Sequence, residues 1–512
     1  MSCLLTEAIL LFSIAIYAIH AASFGSQACL QDVSFTITPV DTAPTPMCAG
    51  TKMEWFGEQT YYKEALPKKQ IHIWKEQSSQ NDQTYAFLAW ERLYLPNSEQ
   101  NINGTSWSER TIHAIDSASK TEQKVPQLAT AQKPFEHHNK YEVMQMEATY
   151  AIIRMNSLQD LLILSLHLQR DTRITQLTAI PRVDTLNVNV TLPKPKFNPP
   201  LHALLFSDTL DVPQLREDAR ILSGEDEAGQ WIPSGSLDDS LLSSPSNHWH
   251  SRHSATQEAR LAGAWIRARL SRYLAPLDGR CIEWNYDDSF APNIVCTIPV
   301  ANSKKKNEQE GVAILSAHYD SRGTFGSTRA PGADDDGSGT TMLLAVARHL
   351  GKHRIEFNRE IRLVAFSGEE QGLVGSKNYA KHLREKNTPV HFQLQADMLG
   401  YRKPGEPLQV AFPDKLATQA ATDYVIDLAR LYVPELQIGY TPACCSDHQS
   451  FWEQGFTSTW VFERRGPIAD PCYHDSCDLT DRKGYDFEQI QSITKLCLAT
   501  LLDIGGGVDW PY

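Results

Sequence analysis

The residues able to do chemistry concentrate in the last two fifths of the chain, where metal-seeking side chains follow one another in separate blocks. They are His318 in SAHYDS, Asp335 in APGADDDGSG, Glu370 in FSGEE, Asp397 in QADM and His474 in CYHDSC, with Glu369 as a spare carboxylate. Imidazole nitrogen and carboxylate oxygen without thiolate form a donor set suited to hydrolytic zinc, and one carboxylate can bridge two ions. With Asp335 as the bridge, His318 and Asp397 complete one ion, and Glu370 and His474 complete the other. The carboxylates and a bridging hydroxide then balance the charge of two Zn2+ ions, and zinc can bring the pKa of bound water near 7.

Adjacent glutamates divide labour when the backbone turns between them. Glu370 faces the metal, and Glu369 reaches the water as general base before passing its proton to the leaving group. Asp320, two residues beyond His318, is placed to hold the other ring nitrogen of that imidazole and fix its tautomer. The small residues of ADDDGSG allow a sharp turn into a helix whose N-terminus tolerates the acidic cluster.

The elements that must position these groups are legible as alternating patterns. GVAILSA, EIRLVAFS, PLQVAF and STWVF are short apolar runs bounded by turn residues. Between them lie helical patterns: TTMLLAVARHL, GLVGSKNYAKHL, ATDYVIDLARLY and a last one over 487–502. Before them, 254–257 reads as a capping box opening the helix ARLAGAWIRARLSRYL. Strands alternating with helices predict an α/β fold, a three-layer α/β/α sandwich on a mainly parallel mixed sheet. Ligands in such sheets gather beyond the carboxyl ends of strands, where His318, Glu369 and Glu370 fall.

Each block alone has an ordinary structural explanation: a solvated acidic loop, a Glu-Glu pair complementing a helix dipole, a strand-end histidine. Their ordered conjunction favours the metal site. Other groupings are weaker. His248, His250 and His253 in HWHSRHS precede a helix start and read as surface or capping neighbours. Ser446, Asp447 and His448 are contiguous, so they cannot converge as a catalytic triad. Asp287 and Asp288 read as a solvated loop.

HYDS, APGADDDGSG, SGEEQGLVGS, ADM and CYH, with ILSGED and SRHS upstream, resemble the secreted co-catalytic di-zinc aminopeptidases, the leucyl aminopeptidases of bacteria and fungi. The resemblance covers 211–504 and implies a zinc-exopeptidase-like fold, Asp335 as the bridging acid, Glu369 as the base and a cis peptide between Asp335 and Asp336. It also implies that Tyr473 steadies the tetrahedral intermediate, a role a phenol near zinc can fill. The Cys472–Cys477 bridge recurs in some of these enzymes. Where some relatives have a C-x3-C disulfide and a tyrosine, this chain has Ala443, Cys444 and Cys445, which leaves the pocket wall there open. By the same resemblance, the region before 191 is a propeptide or accessory domain, and large apolar N-terminal residues are the expected substrates.

The bulk numbers agree with this class. A chain of 512 residues, 41% hydrophobic and 9% aromatic, has room for two or three domains. A net charge of −13 and a pI near 5.7 argue against nucleic acid or anionic membrane as partners. Residues 1–23 carry the apolar run AILLFSIAIYAIHAA before small residues, the pattern of a secretory signal peptide. No positive charge precedes the run, so an uncleaved anchor is the alternative. Sequons at Asn103 and Asn189 fit that route. Ten cysteines suit an oxidising compartment. The expected pairs are Cys472 with Cys477, Cys281 with Cys296 across a hairpin, and Cys29 with Cys48, leaving Cys444, Cys445 and Cys497 unassigned beside Cys3 in the 1–23 segment.

The expected organisation is thus a signal peptide (1–23), an N-terminal propeptide or accessory domain (24–190), a Pro-rich linker (191–210) and a di-zinc catalytic domain (211–512). The expected activity is secreted metallo-aminopeptidase action on peptide or protein N-termini through a zinc-bridging hydroxide, with no membrane contact after signal removal. Two rivals stand beside it. A metallocarboxypeptidase would clamp the substrate carboxylate with an arginine, for which Arg464 and Arg465 are candidates. A non-catalytic binding module on a peptidase fold would need a lost ligand or base, and none is missing.

Overall fold

In the computed structural model the run Val312–His318 is a strand buried along its whole length, as expected of a strand covered on both faces. The structure describes 34–39, 53–61, 69–76, 84–90, 106–120, 140–177 without 147 and 149, 192–228, and 248–506 without 302–310, 325–326 and 444–445. The 1–23 segment, both sequons, the Cys29–Cys48 pair and the vicinal Cys444 and Cys445 lie outside these residues.

Contacts divide the chain into two compact units, 1–82 with 177–182, and 83–176 with 183–512. The first holds β1 (Ser34–Pro39), β2 (Met53–Tyr61) and β3 (Lys69–Glu76) in an antiparallel sheet ordered β1-β3-β2. The second begins with β4 (Thr84–Trp90), α1 (Trp107–Lys120), β5 (Tyr141–Met146), β6 (Tyr150–Met155), α2 (Leu158–His167) and β7 (Thr172–Leu177). Its four strands are ordered β5-β6-β4-β7. The run LQDLLILSLHL, open between strand and helix from its sequence, is α2, capped by Ser157 accepting from the Asp160 N–H.

The proline-rich stretch carries α3 (Pro199–Leu204), and Leu201, Leu205 and Leu210 are buried in the main core. It therefore packs as part of the second unit. Then come α4 (Val212–Leu222), α5 (Gln257–Leu274), β8 (Arg280–Trp284), β9 (Asn293–Ile298), β10 (Val312–His318), α6 (Gly337–His353), β11 (Ile361–Phe366), α7 (Val374–Glu385) and β12 (Val390–Ala396). They are followed by β13 (Gln409–Pro413), α8 (Gln419–Tyr432), β14 (Gln437–Thr441), α9 (His448–Glu453), β15 (Ser458–Val461) and α10 (Phe487–Gly505).

The principal sheet is ordered β15-β12-β10-β11-β9-β8. Its four strands from β15 to β11 are parallel, and β9 and β8 join antiparallel at one edge. Alternate side chains enter different layers. Ala313, Leu315 and Ala317 meet α4, α5, α6, α8 and α10, whereas Val312 and Ile314 meet Tyr379, Leu383 and Phe451 of α7 and α9. At ~1.5–3 kcal/mol for each large side chain so buried, these two cores dominate stability. The three-layer expectation holds.

Three details differ from the sequence reading. PLQVAF is not in the principal sheet; β13 pairs with β14 in a separate parallel pair. The central strand β12 escaped notice because Gln393 and Gln395 interrupt its apolar run. Both are buried and bonded, Gln393 donating to Ser316 at 2.8 Å and Gln395 to Asp447 at 3.1 Å. Finally, α5 is capped by Thr256, not by Ser254, which instead accepts from the Gly368 N–H at 2.9 Å in the loop carrying the two glutamates.

Cys281 faces Cys296 across the β8–β9 hairpin and is bonded to it; Cys472 is bonded to Cys477, and Cys497 is a buried free thiol. Among the described residues no helix is long and apolar enough to cross a membrane.

Remote from the site, buried His349 has its Nδ1 2.6 Å from Thr209 Oγ1, and burial holds its pKa down at about 3. An unfolded imidazole titrates near 6.5. As the pH falls below that value the unfolded chain takes up a proton that the folded one refuses, so stability drops, by up to ~1.4 kcal/mol per pH unit. Urea midpoints are therefore expected to fall between pH 7.5 and 5. In His349→Gln the fall should shrink; an identical fall would mean that this imidazole does not contribute.

Candidate metal centre

The carboxyl edge of the parallel strands collects the functional groups. His318 is the last residue of β10, Asp397 follows β12, Glu369 and Glu370 lie in the loop after β11, and Asp335 stands just before α6. His474 comes from the loop after β15 and takes a left-handed backbone, φ 50°. The Asp335–Asp336 peptide is cis.

The two oxygens of Asp335 face different imidazoles. Oδ1 is 3.3 Å from His318 Nε2, and Oδ2 is 3.2 Å from His474 Nε2. His318 Nε2 is also 3.6 Å from Asp397 Oδ1, and His474 Nε2 is 3.0 Å from Glu370 Oε2. Two groups of potential ligands result, His318–Asp335–Asp397 and Asp335–Glu370–His474, each with ligand atoms within 4.8 Å of one another and all buried. The structure thus brings together all five residues singled out as ligands, with Asp335 common to both groups.

The donor chemistry fits a metal. Among the described residues, His318 Nε2 and Glu370 Oε1 are buried without a hydrogen-bond partner, which is costly unless something else is bound. His318 Nδ1 lies 3.1 Å from the main-chain oxygen of Asp320. A carbonyl only accepts, so Nδ1 carries the proton and Nε2 offers its lone pair to the site. Burial pushes the Asp335 carboxyl up, but hydrogen bonds and charge from His318 and His474 prevail and hold it below its ordinary value. Burial and the charges of Asp397, Asp447 and Glu370 push Glu369 well up, against the opposing pull of His318. So many carboxylates in one buried place need cations nearby.

Asp320 reaches the expected ring nitrogen and has further partners. Its carboxylate is 3.5 Å from His318 Nδ1, with its own carbonyl nearer at 3.1 Å, and it also accepts from the N–H groups of Glu369 at 3.3 Å and Glu370 at 3.2 Å. It sets the turn that sends the two glutamates in different directions.

The acid triplet divides its work similarly. Asp336 caps α6 by accepting from Gly339 at 2.8 Å and also accepts from the N–H groups of His318 and Met398, both at 3.1 Å. Asp334 accepts from Gly400 N–H at 2.6 Å, and Asp478 accepts from the N–H groups of Asp334 and Asp335 at 3.0 Å. Only the middle acid is left to face the site.

Several positioning residues went unrecognised in the sequence. Arg252, in SRHS, is fully buried and donates to the carbonyls of Tyr319 at 2.6 Å, Leu222 at 2.5 Å, Gly332 at 2.7 Å and Pro331. It fastens the loops that carry His318 and Asp335. Its neighbour His253, expected at the surface, is buried beside Ser165 Oγ at 2.9 Å, and burial lowers its pKa to about 4. A lone arginine or histidine has no local pattern; only the SRHS likeness hinted at either.

A cleft open to solvent, with about 590 Å³ of space between its walls and mouth, adjoins the candidate ligands. One wall is apolar, from Met398, Ala443, Trp460, Phe462, Ile468 and Tyr473. The other includes Arg173, Ile174 and Thr175 of β7 with Arg322, and Glu369 and Asp397 lie at the ligand end. Tyr473 stacks on the His474 ring with centroids 3.7 Å apart. Neither Arg464 nor Arg465 lines the cavity; Arg464 is bound to Glu406 at 2.8 Å and 3.1 Å. His448 is buried against Trp460, and Asp287 accepts from Ser289 N–H at 2.8 Å.

Comparison with known sequences places this arrangement. The profile of peptidase family M28 matches residues 293–501, a span that holds every candidate ligand and Glu369. The chain is similar to a probable leucine aminopeptidase of Trichophyton verrucosum, 30% identical over 197 residues, 36% of this chain and 49% of that one. It is also similar to leucine aminopeptidase 1 of Pyrenophora tritici-repentis, 28% identical over 256 residues, 46% of this chain and 63% of the other. The chain thus spans about half to under two thirds of the length of these relatives. Among solved structures, the LapA aminopeptidase of Legionella pneumophila superposes with a TM-score of 0.56 at 15% identity, over 84% of this chain and 100% of its own. LapB of the same organism gives 0.58 at 18%, over 83% and 100%. At these identities the likeness is one of fold, and it extends beyond the residues matched by the family profile.

Proposed function

We propose that the protein is a metallo-aminopeptidase that removes single residues from the N-termini of peptides, with two zinc ions at the paired ligand groups. The observation that carries this is Asp335, one oxygen turned to each of two histidines that belong to separate ligand sets. His318, Asp335 and Asp397 would hold one ion, and Asp335, Glu370 and His474 the other. When bound, such ions supply Lewis acidity and a water of lowered pKa.

The chain's own groups do the rest. Glu369, outside both ligand sets and at the cavity, takes the proton from the attacking water and returns it to the leaving amine. The Tyr473 hydroxyl donates to the oxyanion that develops on the scissile carbonyl. Glu369 and Asp397 offer negative charge to the substrate's α-amine, and the apolar wall around Trp460 and Phe462 receives the first side chain. That wall supports large apolar first residues as the preferred class. The two disulfides support an oxidising, secretory location.

The discriminating experiment is a panel of N-terminal amino-acid amides and peptides, free and N-acetylated, with and without a chelator. Free leucyl and phenylalanyl substrates should be cleaved fastest, acetylation should abolish cleavage, and chelation should stop it until zinc is restored. Cleavage indifferent to acetylation would favour a carboxypeptidase, and rates surviving complete metal removal would end the metal reading.

A further inference from the structure

The Glu370–His474 half of the site is built against residues far earlier in the chain. Arg322 is buried, with its Nε 4.0 Å from Glu370 Oε2 and its Nη1 3.0 Å from His474 Nδ1. The same guanidinium donates to the carbonyls of Thr172 at 3.0 Å, Gln169 at 3.2 Å and Leu168 at 3.3 Å. Between those anchors, the carbonyl of Arg170 lies 3.2 Å from His474 Nδ1, and the Arg170 side chain donates to Pro471 O at 2.9 Å in the His474 loop.

His474 Nδ1 therefore sits between a donor and an acceptor that require opposite tautomers. When Nε2 binds a metal, Nδ1 must carry the proton, and the Arg170 carbonyl is the partner that accepts it. Arg322 keeps that carbonyl in place by gripping the turn on either side of it. The join continues outward. At Gly372, φ 108°, an added Cβ would lie 2.2 Å from Gln176 N, so only glycine permits the approach of β7 to the glutamate loop. Phe290 and Val374 share one core with α1, α2, β4 and β6.

We propose that the turn 168–172, clamped by Arg322, is the outer support of the Glu370–His474 half of the metal centre, so that this half is incomplete without the subdomain 83–176. Arg322 is on this view a positioning residue, and residues 83–176 belong to the working enzyme rather than to a discarded leader. The inference rests on the two-metal reading above.

The test is zinc titration of the metal-free full-length protein against a chromophoric chelator, for the parent, Arg322→Met and Arg322→Lys. Removing an outer contact to a metal ligand typically costs 10–100-fold in affinity. In Arg322→Met one of two zinc sites is expected to weaken by about that factor, while the other stays within about twofold. Arg322→Lys, which keeps a cation but cannot span three carbonyls, should lie between. Circular dichroism and thermal unfolding establish that each variant is folded; if the Met variant is not, the Lys variant decides on the same criterion. A folded variant with both sites at parental affinity, or with both weakened equally, overturns the proposal. A parent that binds fewer than two zinc ions removes the two-metal reading itself, a failure visible before any substitution is made.

Discussion

Glu369→Gln is expected to lower turnover of an N-terminal amide by about 10²–10⁴, roughly 3–5 kcal/mol of barrier, with zinc content unchanged. The substitution keeps the size of the side chain and removes only its basicity. Glu369 belongs to neither ligand group yet lines the cavity, so it can reach a water held there without being needed to hold the ions. Its main-chain N–H is tethered to Asp320, which separates its direction from that of Glu370. Steady-state kinetics beside metal analysis of the same samples make the check. Loss of zinc together with activity would reassign Glu369 as a ligand, and undiminished turnover would remove it from the chemistry.

Asp335→Asn should have the widest effect on metal, because its two oxygens serve both halves. Weakening of both zinc sites by more than ~10² is expected, since loss of an outer contact alone typically costs 10–100-fold. Asp397→Asn, by contrast, should weaken only the half built on His318, and Glu370→Gln only the half built on His474. Calorimetric titration of zinc into the metal-free proteins separates these patterns. Should Asp335→Asn lose one ion and keep the other at parental affinity, the carboxylate is not shared and the pairing of ligands must be redrawn.

The two outcomes probe different parts of one design. Four structural acids (Asp320, Asp334, Asp336 and Asp478) accept main-chain N–H groups around the site and leave the remaining carboxylates to face the cavity. A buried acceptor satisfied in this way costs little, whereas one left unpaired costs ~1–3 kcal/mol or more. The unpartnered His318 Nε2 and Glu370 Oε1, which belong to the two candidate ligand groups, fit a bound cation.

What the sequence by itself determined was of short range. The apolar runs ending at His318 and Phe366 announced their strands because a strand buried on both faces needs an unbroken apolar series. The five candidate ligands and the spare glutamate stood out through residue type and order, and the Cys281–Cys296 pair through a hairpin with a sequence separation of 15. The strand β12 was hidden, since two glutamines satisfied by buried partners look like surface residues until those partners are known.

Only the tertiary structure decided how the site is held. It put Arg252 across four carbonyls up to 80 residues away, gave Asp320 a hold on the glutamate turn as well as its place beside His318, and set the 168–172 turn against His474. The reason is physical. Periodicity and capping record interactions within a few residues, but a buried guanidinium or carboxylate is satisfied by whatever main-chain groups the fold brings within 3 Å, and no local pattern encodes that meeting.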